Sequence, residues 1–150
     1  MPLPAALRRL TVLIPLTLAA CASHPSVPDR LAAAPASTDW GMAQTVTVKL
    51  TDFDYTPSDL TFTAGKPVKV VLVNSGSDLH DFSAPAFFAG SALKPGSTGP
   101  AGGKVAVAKN QTAEIDLVPG APGKYPLECT ELLHAMLGMT GTITVIDASH

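Results

Sequence analysis

Between two strand-like segments near the C-terminus the chain reads Tyr125-Pro-Leu-Glu-Cys129-Thr-Glu-Leu-Leu-His134-Ala-Met-Leu-Gly-Met139-Thr-Gly-Thr-Ile-Thr-Val145, so one short loop carries a thiol, an imidazole and a thioether. These are ligands for a soft metal. A second imidazole, His80, lies in Asn74-Ser-Gly-Ser-Asp-Leu-His-Asp-Phe82 after another apolar run, and it completes a set of two nitrogens, one thiolate and a weak thioether. Copper suits that set best. Its two oxidation states prefer different geometries, and a trigonal Cys-plus-two-His site with a long axial Met is a compromise between them. Zinc is chemically open, but methionine is a poor partner for it. A mononuclear site with its coordination filled leaves no place for substrate, so the expectation is a binding or carrier protein and not an enzyme.

Rival readings stay open within the same loop. Met136 offers a second thioether two residues after His134, and Glu128 and Glu131 place carboxylates near the thiol. Met139 is preferred as the axial donor, since a methionine so close to the histidine as Met136 is usually packing. The two glutamates read as solvated surface residues. An unpaired cysteine can also be a plain buried core thiol, since free cysteine is among the most buried residue types. His24 and His150 lie in terminal segments with no scaffold to hold a ligand shell, and both read as solvated.

The ligands need a rigid frame, and the rest of the chain supplies strand signals. Thr45-Val-Thr-Val-Lys-Leu50 alternates with period two, the mark of a half-buried strand. Val68-Lys-Val-Val-Leu-Val-Asn74 is nearly continuous in β-branched residues, as in a central strand, and ends in the turn signal Asn-Ser-Gly. A strand containing Leu60 and Phe62, and further segments at Lys104 to Ala108, Thr112 to Val118, Lys124 to Cys129 and Thr140 to Ile146, bring the total to seven or eight. Short strands separated by Gly/Pro/Asn turns predict an all-β, antiparallel Greek-key β-sandwich. Pro126 predicts an edge or a bulge for the early part of its strand. The Gly/Pro/Ala/Ser-rich stretch from Pro85 to Gly103 predicts loop, and Glu131 to Leu137 is compatible with one tight helical turn.

Arg8 and Arg9 precede an apolar stretch, Leu10 to Ala20, too short to span a bilayer as a mature helix. Residues 1–20 therefore read as an export signal. It ends in Leu18-Ala19-Ala20-Cys21, which resembles a lipobox and predicts lipidation of Cys21; plain cleavage in the A-x-A register is the alternative. Residues 21–40 read as a flexible tether, Ser-, Ala- and Pro-rich, and residues 41–150 as the metal-binding domain. Loss of residues 1–20 takes two arginines and no acid, leaving 8 basic against 12 acidic residues and a net charge of −4. Charged residues make up only 15 % of the chain, which argues against a nucleic-acid partner. Export also makes the cysteine count informative: with Cys21 lipidated, Cys129 has no disulfide partner in an oxidising compartment and must be buried or bound to metal.

At these residues the sequence resembles the cupredoxins, the small blue copper proteins of plastocyanin and azurin type. The resemblance spans about residues 44 to 146. It rests on Asn74 to Phe82, on Pro122-Gly-Lys-Tyr125 leading to Cys129, and on Cys-x4-His-x4-Met followed by Gly-Thr-Ile-Thr-Val. Leu132-Leu133 departs from the family, whose members often have Pro or Gly before the loop histidine. The resemblance implies one copper ion cycling between Cu(I) and Cu(II), held by His80, Cys129, His134 and Met139, with single-electron transfer as the activity. It also implies a bridge between Asp81 and Thr130, the residues following the first histidine and the cysteine. The expected protein is a monomer in the periplasm or cell envelope, anchored to the membrane through an N-terminal lipid and docking transiently to redox partner proteins. A copper carrier or assembly factor with the same ligands is the runner-up, and a metal-free adhesive or scaffolding sandwich is the third reading.

Overall fold

Alternating apolar residues sort the strands onto two facing sheets, seen in a computed structural model that describes residues 31–148. The strands are β1 (Ala32–Ala33), β2 (Gln44–Thr51), β3 (Asp54–Thr56), β4 (Asp59–Thr63), β5 (Val68–Asn74), β6 (His80–Ser83), β7 (Ser91–Leu93), β8 (Lys104–Val107), β9 (Thr112–Pro119), β10 (Gly123–Glu128) and β11 (Thr140–Ile146). One short helix, α1 (Pro85–Ala89), and 3-10 turns at Trp40–Met42 and Ala135–Leu137 complete the described elements. One sheet has the order β1-β7-β9-β5-β2-β3, the other β4-β11-β10-β6-β8. The expected all-β sandwich is therefore present, and within it most pairs are antiparallel. The pairs β2 with β5, β4 with β11 and β1 with β7 run parallel, because the chain crosses between sheets before returning beside an earlier strand.

The β-branched run Val68–Asn74 is central, paired with β2 on one side and β9 on the other. Val68, Val70, Leu72 and Asn74 point inward. They meet Val48 and Leu50 of β2, Ile115 and Leu117 of β9, Leu60 and Phe62 of β4, and Ile143 and Val145 of β11 in one core. Pro126 sits where β10 is paired only with β11, since β10 reaches β6 solely through Glu128 opposite Ser83. Its missing N–H interrupts no ladder there.

Two expectations need correction. The stretch from Pro85 to Gly103 is not all loop: it forms α1 and β7, because Phe87 and Phe88 bury in the core and Ser91 and Ala92 pair with β9. The tether of residues 21–40 does not hold at its distal end either. Ala32 and Ala33 pair with β7, the Ala34 N–H donates to the Leu93 carbonyl at 2.7 Å, and Leu31 packs on the core, so folded structure begins before residue 41. Three alanines carry no apolar periodicity to betray a strand, yet their backbone still closes a sheet edge. Residues 1–20, Cys21, His24 and His150 lie outside the described residues.

Phe88 shows how the underestimated stretch supports the frame. It is fully buried and its ring meets those of Phe82 and Phe87 at centroid distances of 6.1 and 5.4 Å. Phe82 is on β6, two residues after His80. Phe88→Ala is expected to lower stability by about 3–5 kcal/mol, read by chemical denaturation.

Candidate metal centre

His80 opens β6, whose four residues are all buried. The turn leading into it is held by Asn74. The side-chain amide of this buried residue donates to the carbonyls of Asp78 and Val107, both at 2.8 Å, and its carbonyl oxygen accepts from the Gly76 N–H at 2.9 Å. Asn74 thus satisfies the turn's backbone inside the protein, where no water could. His80 then pairs with Val107 on β8, which fixes its position on the sheet.

The other donors come from the connection between β10 and β11. Glu128 lies opposite Thr140, and the ladder continues one step further as the Cys129 N–H donates to the Met139 carbonyl at 3.1 Å. Cys129 and Met139 are neighbours at the neck of the loop. The Met139 N–H in turn donates to the His134 carbonyl at 3.0 Å, which folds the loop back in the 3-10 turn Ala135–Leu137. Leu133 adopts φ 68°, a left-handed conformation that costs a leucine about 1–2 kcal/mol. The departure noted at Leu132-Leu133 is therefore accommodated by backbone strain beside a site histidine.

The fold brings three donor atoms to one spot. The Nδ1 atoms of His80 and His134 are 3.2 Å apart, and Cys129 Sγ is 3.5 Å from His134 Nδ1. All three lie within 4.8 Å of one another. Donors bound at about 2.0–2.3 Å to one first-row ion in a trigonal arrangement stand about 3.5 Å apart, so these residues fit a metal ion. Met139 is fully buried in the same core cluster as Cys129, whereas Met136 is exposed. Glu128 and Glu131 do not join the converging donors among the described residues.

Hydrogen bonds knit the two ligand-bearing segments together. The Asp81 carboxylate accepts from the Thr130 N–H at 2.9 Å and from the Thr130 hydroxyl, and the Asp81 N–H donates to Cys129 Sγ at 3.5 Å. The buried Tyr55 hydroxyl donates to the Asp81 carbonyl, and burial pushes this phenol far above its ordinary titration range. Burial also raises the Cys129 thiol, opposed by the N–H groups of Asp81 and Glu131, so the metal-free side chain is a thiol at neutral pH. Behind His80, Asp52 Oδ1 stands 3.4 Å from the buried Nε2, without the alignment of a hydrogen bond. The Ser77 N–H, at 2.7 Å, is the main cause holding the Asp52 carboxyl below its ordinary range, with a smaller contribution from His80.

At the surface His134 is half-buried, with the Phe53 ring edge-on at 5.2 Å. Around it Leu132 is 85 % and Met136 84 % exposed, and Leu133 and Leu137 are also exposed. Of the residues expected from sequence, His80, Cys129 and His134 converge, Asp81 meets Thr130, and Met139 is buried next to Cys129 at the neck of the loop; Asp52, Phe53, Tyr55, Gly76 and Lys104 were not expected there. Only Gly76 left a trace, in the turn signal Asn-Ser-Gly. Lys104 lay in an expected strand but nothing in the sequence tied it to the site, and Asp52, Phe53 and Tyr55 are distant in sequence from the donors.

A family model described as Cupredoxin-like domain matches residues 12–145. Among solved structures, the chain is similar to auracyanin B, with 22 % identity, a TM-score of 0.53, and coverage of 69 % of this chain and 89 % of that one. It is also similar to a dithionite-reduced auracyanin from the photosynthetic bacterium Roseiflexus castenholzii, at 19 % identity and a TM-score of 0.53, covering 71 % of this chain and 99 % of that one. No curated protein matches the chain.

Proposed function

This chain belongs to the cupredoxin-like family, and on that premise we propose that it carries single electrons between redox partners in the cell envelope, with one copper ion held by His80, Cys129, His134 and Met139. The observation that carries the reading is the convergence of two imidazole Nδ1 atoms and one thiol within 4.8 Å. Copper, when bound, supplies a pair of oxidation states one electron apart.

The protein's part is to hold the donors still and dry. Cys129 and Met139 are fixed by their shared backbone hydrogen bond, His80 by β8 and the Asn74 turn, and the two segments by the Asp81–Thr130 bridge. Donors held this way rearrange little between charge states, which keeps electron exchange fast. Three of the four are buried, so water is kept from the thiolate; His134 alone is half-buried. Its exposed apolar surroundings offer a surface for transient docking. An envelope location is supported by the export and lipidation signals read in residues 1–21. Among the described residues no helix is long and apolar enough to cross a membrane.

Adding copper(II) to the full-length chain tests the assignment. Intense visible thiolate-to-copper absorption at one ion per chain is the expected result, and a colourless protein overturns it. For docking, Leu132→Asp with Met136→Asp is expected to slow electron exchange with a small redox protein by about tenfold or more while leaving the absorption band in place, measured by stopped flow. Equal rates would place the docking surface elsewhere.

A further inference from the structure

Asp81 is the group whose chemistry the electron-transfer reading leaves unbalanced. Its side chain has no exposed surface, it follows His80 directly, and its N–H contacts the sulfur of Cys129. A carboxylate with no exposed surface is a buried charge that demands a partner. Thr130 supplies hydrogen bonds but no charge. Lys104 supplies the charge: its Nζ lies 3.2 Å from Asp81 Oδ2 and 2.7 Å from Thr130 Oγ1, so it touches both halves of the bridge joining the ligand segments.

The placement follows from the sheet. Lys104 begins β8 and stands opposite Ser83, which in turn stands opposite Glu128 of β10. The lysine therefore starts from the strand flanking β6 and reaches along the surface toward Thr130, with 42 % of its side chain exposed. Solvent screening at that end weakens its attraction for remote charges more than its contact with the buried carboxylate.

We infer that Lys104 is the counter-charge of Asp81 and that the pair sets the reduction potential of the metal centre. The inference rests on the copper reading. Reduction adds one electron to the site, with no bond broken and no proton moved, so it is disfavoured by a nearby uncompensated negative charge. With Lys104 in place the carboxylate is offset and its hydrogen bonds to Thr130 carry no net electrostatic penalty for the reduced state. Without it, Asp81 favours the oxidised state. Lys104 is a positioning residue: it touches no ligand.

A double-mutant cycle on the full-length chain tests this, with wild type, Lys104→Gln, Asp81→Asn and the double variant compared in two measurements. Voltammetry of the copper-loaded proteins, with the electrode as electron source, is expected to show a lower potential for Lys104→Gln and a higher one for Asp81→Asn. The double variant returns toward wild type, and the visible band is kept throughout. Denaturation of the metal-free proteins is expected to show that Lys104→Gln is less harmful once Asp81 is also neutral. An unchanged potential in Lys104→Gln or in Asp81→Asn, or an equal loss of metal-free stability on Lys104→Gln in both backgrounds, overturns the inference. If Lys104→Gln fails to fold while the double variant folds, the pairing is supported; if both fail, the lysine acts through packing and the inference falls. Absence of blue colour in wild type would defeat the copper assignment instead, while the metal-free cycle still reports on the pair.

Discussion

Cys129→Ala is expected to abolish the visible charge-transfer band and to lower copper(II) affinity by at least about two orders of magnitude. Loss of an outer hydrogen-bonding partner already costs a metal site 10–100-fold in general, and here a donor itself is removed. No neighbour can replace it. The remaining convergent donors are two imidazoles, and the nearby carboxylate of Asp81 is occupied by Thr130 and Lys104. The fold survives, because Cys129 is one small member of a core of about twenty side chains and its truncation removes roughly 1–2 kcal/mol of packing. Titration with copper(II) followed by absorption, alongside denaturation of the metal-free variant, separates the two effects. A variant that stays blue would mean that the sulfur of Cys129 is not a donor. A variant that does not fold would mean that the residue is first of all a core thiol.

Gly76→Ala is expected to damage the same site without touching any donor. A Cβ at Gly76 would stand 2.4 Å from His80 Nε2 and 2.7 Å from Asp52 Oδ1, closer than real Cβ contacts come. Asp52 is exposed and can swing away, but His80 cannot: its side chain has no free surface, and β8 and the Asn74 turn hold its backbone. The imidazole must tilt, and Nδ1 on the far side of the ring then leaves its place opposite His134 Nδ1. Copper affinity should fall about 10–100-fold with a shift of the visible band, and stability should fall by about 1–3 kcal/mol, the usual range for overpacking. The neighbouring exposed Ser75→Ala serves as the control and should behave as wild type. Wild-type affinity and colour in Gly76→Ala would show that the ring has room the packing does not reveal.

Much of the frame was legible because inward-facing apolar residues recur at period two. The run Val68–Asn74 became a central strand with the expected limits, and Thr140 to Ile146 became β11. The misread parts share a physical cause. Ala32–Ala33 bonds through its backbone alone, and the helix holding Phe87 and Phe88 is one turn and a half long, too short for a period to show. Of the site, Cys129, His134 and Met139 were readable together because one loop carries them. The Asp81–Thr130 contact followed from family resemblance and not from any local pattern.

Residue chemistry along the chain, taken alone, determined which metal suits the donors and that strands must hold them, since ligand softness and side-chain alternation are properties of sequence. Convergence was decided by the tertiary structure: β6 had to lie beside β10 for His80 to meet a loop 49 residues further on. Pairing of β8 with β6 placed Lys104 on Asp81, and the turn held by Asn74 set Gly76 against the His80 ring. Those contacts join residues 23 apart and 4 apart, respectively, with no sequence rule linking them. Charge balance and steric fit depend on distances in space, and only the packed sheets set those distances.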